Sequence, residues 1–185
     1  MPASHSREHQ KSMLDLARRA IMAYPNNEQL RLLYQERHDF GRGGVFVSVY
    51  VDNDLRGCIG NLEPLSLQEG IIENAIHAAY HDTRFSPITK KELPSMNVHI
   101  NLLTEPKPYA YKTTKELLER IKGEGVIIER RGRRATFLPS VWEQLPLSEE
   151  FLSHLCMKAG LPAQDWKEKG LSVMLYQSEE FSERP

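Results

Sequence analysis

Apolar residues recur every three or four positions in several stretches of the chain, and this spacing predicts amphipathic helices. The first begins near Met13 and stops before a Pro-Asn-Asn turn, and a short second helix is predicted over EQLRLLYQERH. A third follows Ser66, which is placed to cap it, and SEEFLSHLCMKAG predicts another helix that ends at Gly160. Two Thr-x-x-Glu spacings, which start at Thr89 and Thr113, predict short capped helical turns.

Other stretches alternate apolar and polar residues and are rich in β-branched side chains, as strands are. VFVSVYV, the turn DND and LRGCIGNL predict a hairpin over 45–60. GVIIER and RATFLP predict a second hairpin, and NVHINLLT and LSVMLYQ predict single strands. Helices and strands mix without strict β-α-β alternation. The sequence therefore predicts an α+β fold, with a mixed or antiparallel sheet and flanking helices, in one domain over 1–185.

Composition and charge narrow the classes of function. The 24 basic and 25 acidic residues give a net charge of -1, so no overall field draws the chain to nucleic acid or to an anionic membrane. No stretch approaches the roughly 18 apolar residues that span a bilayer, and MPASHSREHQ lacks the apolar centre of a signal peptide. We therefore expect a cytoplasmic protein whose two cysteines are free thiols.

The stretch LRGCIG carries the first candidate chemistry. In an extended strand Arg56, Cys58 and Gly60 share one face, and Gly57 lies on the other. A guanidinium two residues from a thiol favours the thiolate, and the glycines allow a backbone or a ligand to approach closely. The alternative is a buried structural cysteine in a strand whose glycines mark only a bulge or a bend.

The stretch HDTRF carries the second candidate, because it sets a carboxylate, a guanidinium and an aromatic ring at the end of a helix. Arg84 is suited to hold an anion, with Asp82 orienting it and Phe85 beside it. Alternatively, Asp82 and Arg84 hold the turn while Phe85 fills the core. Both interpretations are compatible with the sequence.

The remaining candidates favour structural roles. His77 and His81 share a helix face at i, i+4 spacing, but no HExxH pattern is present, so no metal site is assigned. His99 lies opposite its apolar strand neighbours, in an exposed position, and Cys156 belongs to an apolar helix face. The four arginines of ERRGRR, residues 129–134, fit a solvated turn better than an RNA site, so nucleic acid is not an expected partner.

Four segments in this order and spacing resemble the AMMECR domain family, called AmmeMemoRadiSam system protein A in prokaryotes. They are LRGCIG, DTRFSPITKKELP, RATFLPSVWEQLP and FLSHLCMKAGLP, and DTRF has Thr where many members have Pro. The resemblance implies a larger and a smaller lobe, with the RGCIG segment beside a cleft between them. It also implies association with a Memo-type protein and a radical SAM enzyme. It leaves the cofactor unknown and gives no settled activity.

Two hypotheses follow from different classes of function. The first is an accessory protein in which LRGCIG and DTRF form a groove for a protein, a peptide or a small ligand. The second is an enzyme in which Cys58 is the nucleophile or acceptor, assisted by Arg56 and Asp82. In that case Arg84, Phe85, Gly57 and Gly60 would contact an anionic substrate.

Overall fold

The computed structural model describes residues 5–183 and confirms the α+β class. The helices are α1 (Arg7–Ala23), α2 (Asn27–Gln35), α3 (Leu67–Tyr80), α4 (Thr114–Arg120) and α5 (Ser148–Lys158). The strands are β1 (Arg42–Val51), β2 (Asp54–Ser66), β3 (Met96–Leu103), β4 (Lys107–Pro108), β5 (Gly125–Arg130), β6 (Arg133–Phe137), β7 (Ser172–Tyr176) and β8 (Ser178–Ser182). Within this described part, no helix is both long and apolar enough to cross a membrane.

The chain forms two compact units, each with its own four-stranded sheet and its own core. Residues 5–105 and 179–183 form the first unit, and residues 106–178 form the second. In the first unit the strand order is β2-β1-β3-β8, so β2 lies at an edge. In the second unit the order is β4-β7-β5-β6.

Strict alternation along β1 and β3 gives the first sheet two different faces. Val45, Val47 and Val49 of β1 and Val98 and Ile100 of β3 are fully buried in the core, which also contains the apolar faces of α1 and α3. The residues between them point to the opposite face and are half-buried. We call this second surface the outer face of the first sheet.

The predicted hairpin over 45–60 is confirmed, and both of its strands are longer than predicted. Asp52 and Asn53 have φ of 51° and 71°, the left-handed backbone that a two-residue hairpin turn requires. Beyond the predicted end, β2 continues to Ser66 and pairs there with Arg42. The turn, followed by a register shift between the pairs Tyr50–Leu55 and Val49–Gly57, places the RGCIG segment beside the centre of β1.

The second unit packs α5 and α4 against its sheet. The predicted hairpin between β5 and β6 is confirmed, and Cys156 is fully buried, as the helix pattern predicted. Trp142 stacks on Phe151 with ring centroids 4.0 Å apart, and its indole N–H donates to the carbonyl of Glu124 at 2.8 Å. These contacts supply a separate core for this unit.

Two of the predicted helix caps differ from expectation. Ser66 occupies the cap position of α3, but its hydroxyl makes no capping hydrogen bond. The first amide of the helix, at Leu67, instead donates to the carbonyl of Gly41 at 3.0 Å. The predicted helical turn at Thr89 is only a turn, followed by a short 3-10 segment over Leu93–Ser95.

The cap at Thr113 is confirmed and allows a direct test. Its hydroxyl accepts from the amide of Glu116 at 3.2 Å, and the Glu116 carboxylate accepts from the amide of Lys112 at 3.0 Å. Because an N-cap hydroxyl satisfies an otherwise unpaired helix amide, we expect Thr113→Ala to lower the free energy of unfolding by about 1 kcal/mol. Urea denaturation measures this change, and Thr113→Ser, which keeps the hydroxyl, should remain near wild type.

Candidate functional site

The edge strand β2 carries the predicted residues, and the neighbouring loop over 81–92 holds it in place. Cys58 lies opposite Ser48 of β1, so its side chain points to the outer face and its own N–H and C=O point away from β1. Cys58 is half-buried as a residue. An edge strand leaves such backbone groups unpaired unless another segment covers them.

Asp82 and Arg84 cover the backbone of Cys58. The Cys58 amide donates to Asp82 Oδ2 at 2.9 Å, and Arg84 Nη2 donates to the Cys58 carbonyl at 2.9 Å. The two side chains also bind each other, from Arg84 Nε to Oδ1 at 2.9 Å and from Nη2 to Oδ2 at 2.7 Å. The DTRF loop therefore binds the strand edge as a neighbouring strand would.

This arrangement determines the charge state of Asp82. Only 3% of its side chain is exposed, and its hydrogen-bond partners among the described residues are all donors. The Arg84 hydrogen bond is the main cause that lowers the pKa of Asp82 well below its usual range, and the Cys58 and Arg84 amides add to it. The carboxylate also raises the pKa of Arg84. Asp82 is therefore a fixed acceptor at neutral pH.

Arg56 is bound to the same loop through Glu92. Its guanidinium pairs with the Glu92 carboxylate and donates to the Ser86 carbonyl at 3.2 Å. The amide and hydroxyl of Thr89 donate to the other Glu92 oxygen at 2.8 and 2.7 Å. The Thr89 amide first, and then Arg56, lower the pKa of Glu92 to about 2. The Arg56 charge is therefore directed to a carboxylate, and the register of β2 shifts between Gly57 and Leu55, so alternation does not assign Arg56 to the face of Cys58.

Close packing explains why both positions of the RGCIG motif are glycine. A Cβ on Gly57 would lie 1.8 Å from the backbone oxygen of Ala78 in α3, so helix and strand meet there without a side chain between them. A Cβ on Gly60 would lie 2.3 Å from the Phe46 ring. The predicted close approach to these glycines is present, and it is made by Ala78 and by the Phe46 ring. Ligand contact with these glycines stays a prediction.

Phe85 lies against the clamp that Asp82 and Arg84 form. Its amide donates to the Asp82 carbonyl at 3.0 Å, and the Arg84 guanidinium carbon is 5.4 Å from its ring centroid. It is half-buried and belongs to neither buried core cluster. Phe85 thus supports Arg84 from one side.

The other sequence candidates occupy separate places. The rings of His77 and His81 are 5.6 Å apart, and His81 Nε2 is 2.7 Å from the Tyr24 hydroxyl. No group of three or more His, Cys, Asp or Glu side chains suited to a metal ion is found among residues 5–183. In the ERRGRR turn, Arg130 pairs with Asp165 at 3.0 Å and Arg133 donates to the carbonyl of Gly160.

His99 differs from its predicted position, because it is half-buried on the outer face. Ser48 pairs with Cys58 on one side and with His99 on the other, so the three residues form one row across three strands. The Tyr50 ring lies 4.4 Å from the His99 ring, and Asn97 Nδ2 is 3.3 Å from His99 Nε2. Sequence reasoning missed this row, although polar residues alternating with the apolar ones of NVHINLL mark the same face.

Comparisons with known proteins agree with the resemblance in the sequence. A protein of Thermofilum pendens is 37% identical over 193 residues, with 92% of this chain and 88% of the relative covered. Protein MJ0810 of Methanocaldococcus jannaschii is 41% identical over 142 residues, with 72% and 69% covered. The crystal structure of uncharacterized protein PH0010 from Pyrococcus horikoshii superposes with a TM-score of 0.78 at 30% identity, covering 97% of this chain and 93% of that one. The AMMECR1 family model matches residues 14–181, and the chain therefore belongs to the AMMECR1 family.

Proposed function

We propose that this protein is an accessory component that binds partners in the cytoplasm, and that the partners are a Memo-type protein and a radical SAM enzyme. In this role the RGCIG strand and the DTRF loop form a rigid recognition surface and carry out no turnover of their own. Cys58, Arg56 and Asp82 then contribute shape and hydrogen bonding instead of covalent chemistry.

The observation that carries this proposal is the internal pairing of both arginines. Arg84 forms an ion pair with Asp82, and Arg56 forms an ion pair with Glu92. An anionic substrate would have to compete with a carboxylate already bound to each guanidinium. The Arg84 side chain is 61% exposed, so it can contact a partner from its outer side while its inner donors hold β2.

The family comparison supports the same proposal. The match extends over both units of the chain, so recognition by large surfaces of the whole protein is compatible with it. A strand edge that is already covered by Asp82 and Arg84 also resists unwanted pairing with other strands. Such a surface is suited to specific, reversible contacts.

The cysteine-dependent enzyme remains a second candidate because of one observation. Cys58 is half-buried on the outer face, in the same row as Ser48 and His99. Two strand spacings separate the Cα atoms of Cys58 and His99, or roughly 10 Å, which leaves room for a reacting group between them. In this alternative Cys58 is the nucleophile or acceptor without a free arginine beside it.

Cys58→Ser separates the two candidates. The purified protein is mixed with the Memo-type protein and the radical SAM enzyme of the same organism. Complex formation is then followed by size-exclusion chromatography, and reductive cleavage of S-adenosylmethionine by product analysis. We expect the variant to bind both partners and to support cleavage within about twofold of wild type, because the serine keeps the backbone contacts with Asp82 and Arg84.

Two results would contradict the accessory role. A variant that binds normally but loses product formation by roughly tenfold or more would favour the cysteine enzyme. Failure of the wild-type protein to bind either partner would remove the proposed partners. Leu55→Ala, on the same strand with a 36% exposed side chain, serves as the control substitution.

A further inference from the structure

The second unit contains an open cleft of about 470 Å³, between the segment that follows β4 and the segment that precedes β7. Residues 108–114 form its first wall, and residues 166–173 form its second wall. The last bond of the β4–β7 ladder runs from the Tyr109 amide to the Val173 carbonyl, at 2.8 Å. No backbone hydrogen bond joins residues 110–114 to residues 166–172, all of which the structure describes, so the two walls separate there. A volume of this size is typical of sites for small ligands.

Two tyrosine rings on the first wall are held in place by their neighbours. Tyr109 and Tyr111 are both half-buried, and their rings lie nearly parallel, at 22°, with centroids 6.3 Å apart. The Arg120 guanidinium carbon is 5.8 Å from the Tyr109 ring centroid, and the Tyr109 hydroxyl donates to Glu116 Oε1 at 3.3 Å. The rings therefore form a preorganised aromatic wall, against which a flat apolar group can pack.

The charged residues that line the cleft are mostly basic. They are three lysines and one glutamate, Glu168. Lys112 belongs to the first wall, Lys167 and Lys169 belong to the second wall, and all three are exposed. None of the three lysines forms an ion pair among the described residues, because the ion pairs of this unit use other side chains. Positive charge on both walls therefore favours an anion between them.

We propose that this cleft binds a small ligand with a flat apolar body and one anionic group, either a carboxylate or a phosphate. The flat body packs against the rings of Tyr109 and Tyr111, and the anionic group lies between the lysines of the two walls. The cleft belongs to the second unit, whereas the RGCIG strand and the DTRF loop belong to the first. This site goes beyond the proposed partner-binding role, and either proposal can fail without the other.

Three naphthalene compounds test the charge preference, because they share one ring system. Naphthylacetate carries a carboxylate, naphthyl phosphate carries a phosphate, and naphthylmethylamine carries an ammonium group. Binding to the full chain is measured by NMR, through the Gly170 amide in the second wall and the tyrosine ring signals. We expect at least one anion to bind at least about tenfold more tightly than the amine, because several exposed charge pairs together reach that factor. The tighter of the two anions identifies the anionic group.

Reversal of one charge should act on the anions and on the amine in opposite directions. Lys169 is exposed, and its side chain forms no hydrogen bond or ion pair in the part of the chain that the structure describes, so Lys169→Glu should fold normally. We expect this variant to bind the anions about tenfold more weakly and the amine about threefold more tightly. Lys107→Glu is the matched control, because Lys107 is exposed on β4 but does not line the cleft. It should change each affinity by less than about twofold, since salt screens charges at that distance.

Tyr109→Leu separates the ring contact from the charge contact. Loss of the ring should weaken all three compounds by a similar factor of about five, whereas Lys169→Glu changes the charge alone. Circular dichroism confirms that each variant is folded. Equal affinities of the amine and the anions, failure of both anions to bind, or unchanged anion binding by Lys169→Glu would each overturn the proposal. Shifts confined to residues outside the two walls would overturn it as well.

Discussion

Gly57→Ala is expected to destabilise the protein severely, because the added methyl group has no space between β2 and α3. The new Cβ would lie 1.8 Å from the carbonyl oxygen of Ala78, whereas ordinary contacts of this kind are 3.4 Å or longer. The backbone of β2 fixes the position of the Cβ, and the oxygen belongs to the backbone of α3, so neither atom can rotate away. We expect a loss of at least about 3 kcal/mol in the free energy of unfolding, measured by urea denaturation.

A control on the same strand separates this clash from a general sensitivity of β2. Leu55 is two residues earlier and 36% exposed, and Leu55→Ala should lower the free energy of unfolding by less than about 1 kcal/mol. If Gly57→Ala has the same urea midpoint of unfolding as the wild type, α3 does not approach β2 as closely as described. A large effect of both substitutions would instead indicate that β2 tolerates no change.

The regular elements with strong patterns were predictable from the sequence. The Asp-Asn turn indicated the first hairpin, and the spacing of apolar residues in α3 indicated its buried face. β8 was missed because SEEFS has a single large apolar residue, Phe181, and the strand forms through backbone pairing at a sheet edge. Short edge strands carry little hydrophobic pattern, so sequence periodicity does not reveal them.

The candidate site was predictable only in its local part. Alternation correctly placed Cys58 and Gly57 on opposite faces, and two glycines correctly indicated a close approach. The contact partners of Gly57 and Arg56 could not be predicted, because Ala78 and Glu92 lie 21 and 36 residues further along the chain, respectively. The sequence therefore predicted a free Arg56 guanidinium beside the Cys58 thiol. In the structure this guanidinium is paired with Glu92, which is distant in the sequence.

Asp82→Asn should give the second largest effect, because it removes the centre of the clamp on β2. All four hydrogen bonds to the carboxylate come from donors, on Cys58 and Arg84. An amide has only one acceptor atom, so its NH2 group must face at least one of these donors. We expect a loss of about 2 kcal/mol at pH 7, less than the roughly 3–5 kcal/mol for a fully buried pair, because Arg84 is 61% exposed.

The effect of Asp82→Asn should depend on pH in one direction. The pKa of Asp82 is lowered in the folded protein, so its stabilising contribution is fully present above the ordinary Asp pKa of about 4. That contribution is lost as the pH falls below this value toward the lowered pKa. The gap between wild type and variant should therefore be constant from pH 7 to pH 5 and should narrow below about pH 4.

Asp15→Asn is the matched control for this experiment. Asp15 also pairs with an arginine, Arg19 at 2.7 Å, but its side chain is 60% exposed on a helix surface. Such pairs contribute about 0.5 kcal/mol or less, so this variant should unfold near wild type at every pH. If Asp82→Asn behaves like Asp15→Asn, the carboxylate does not anchor the edge strand, and the clamp on Cys58 has no role in stability.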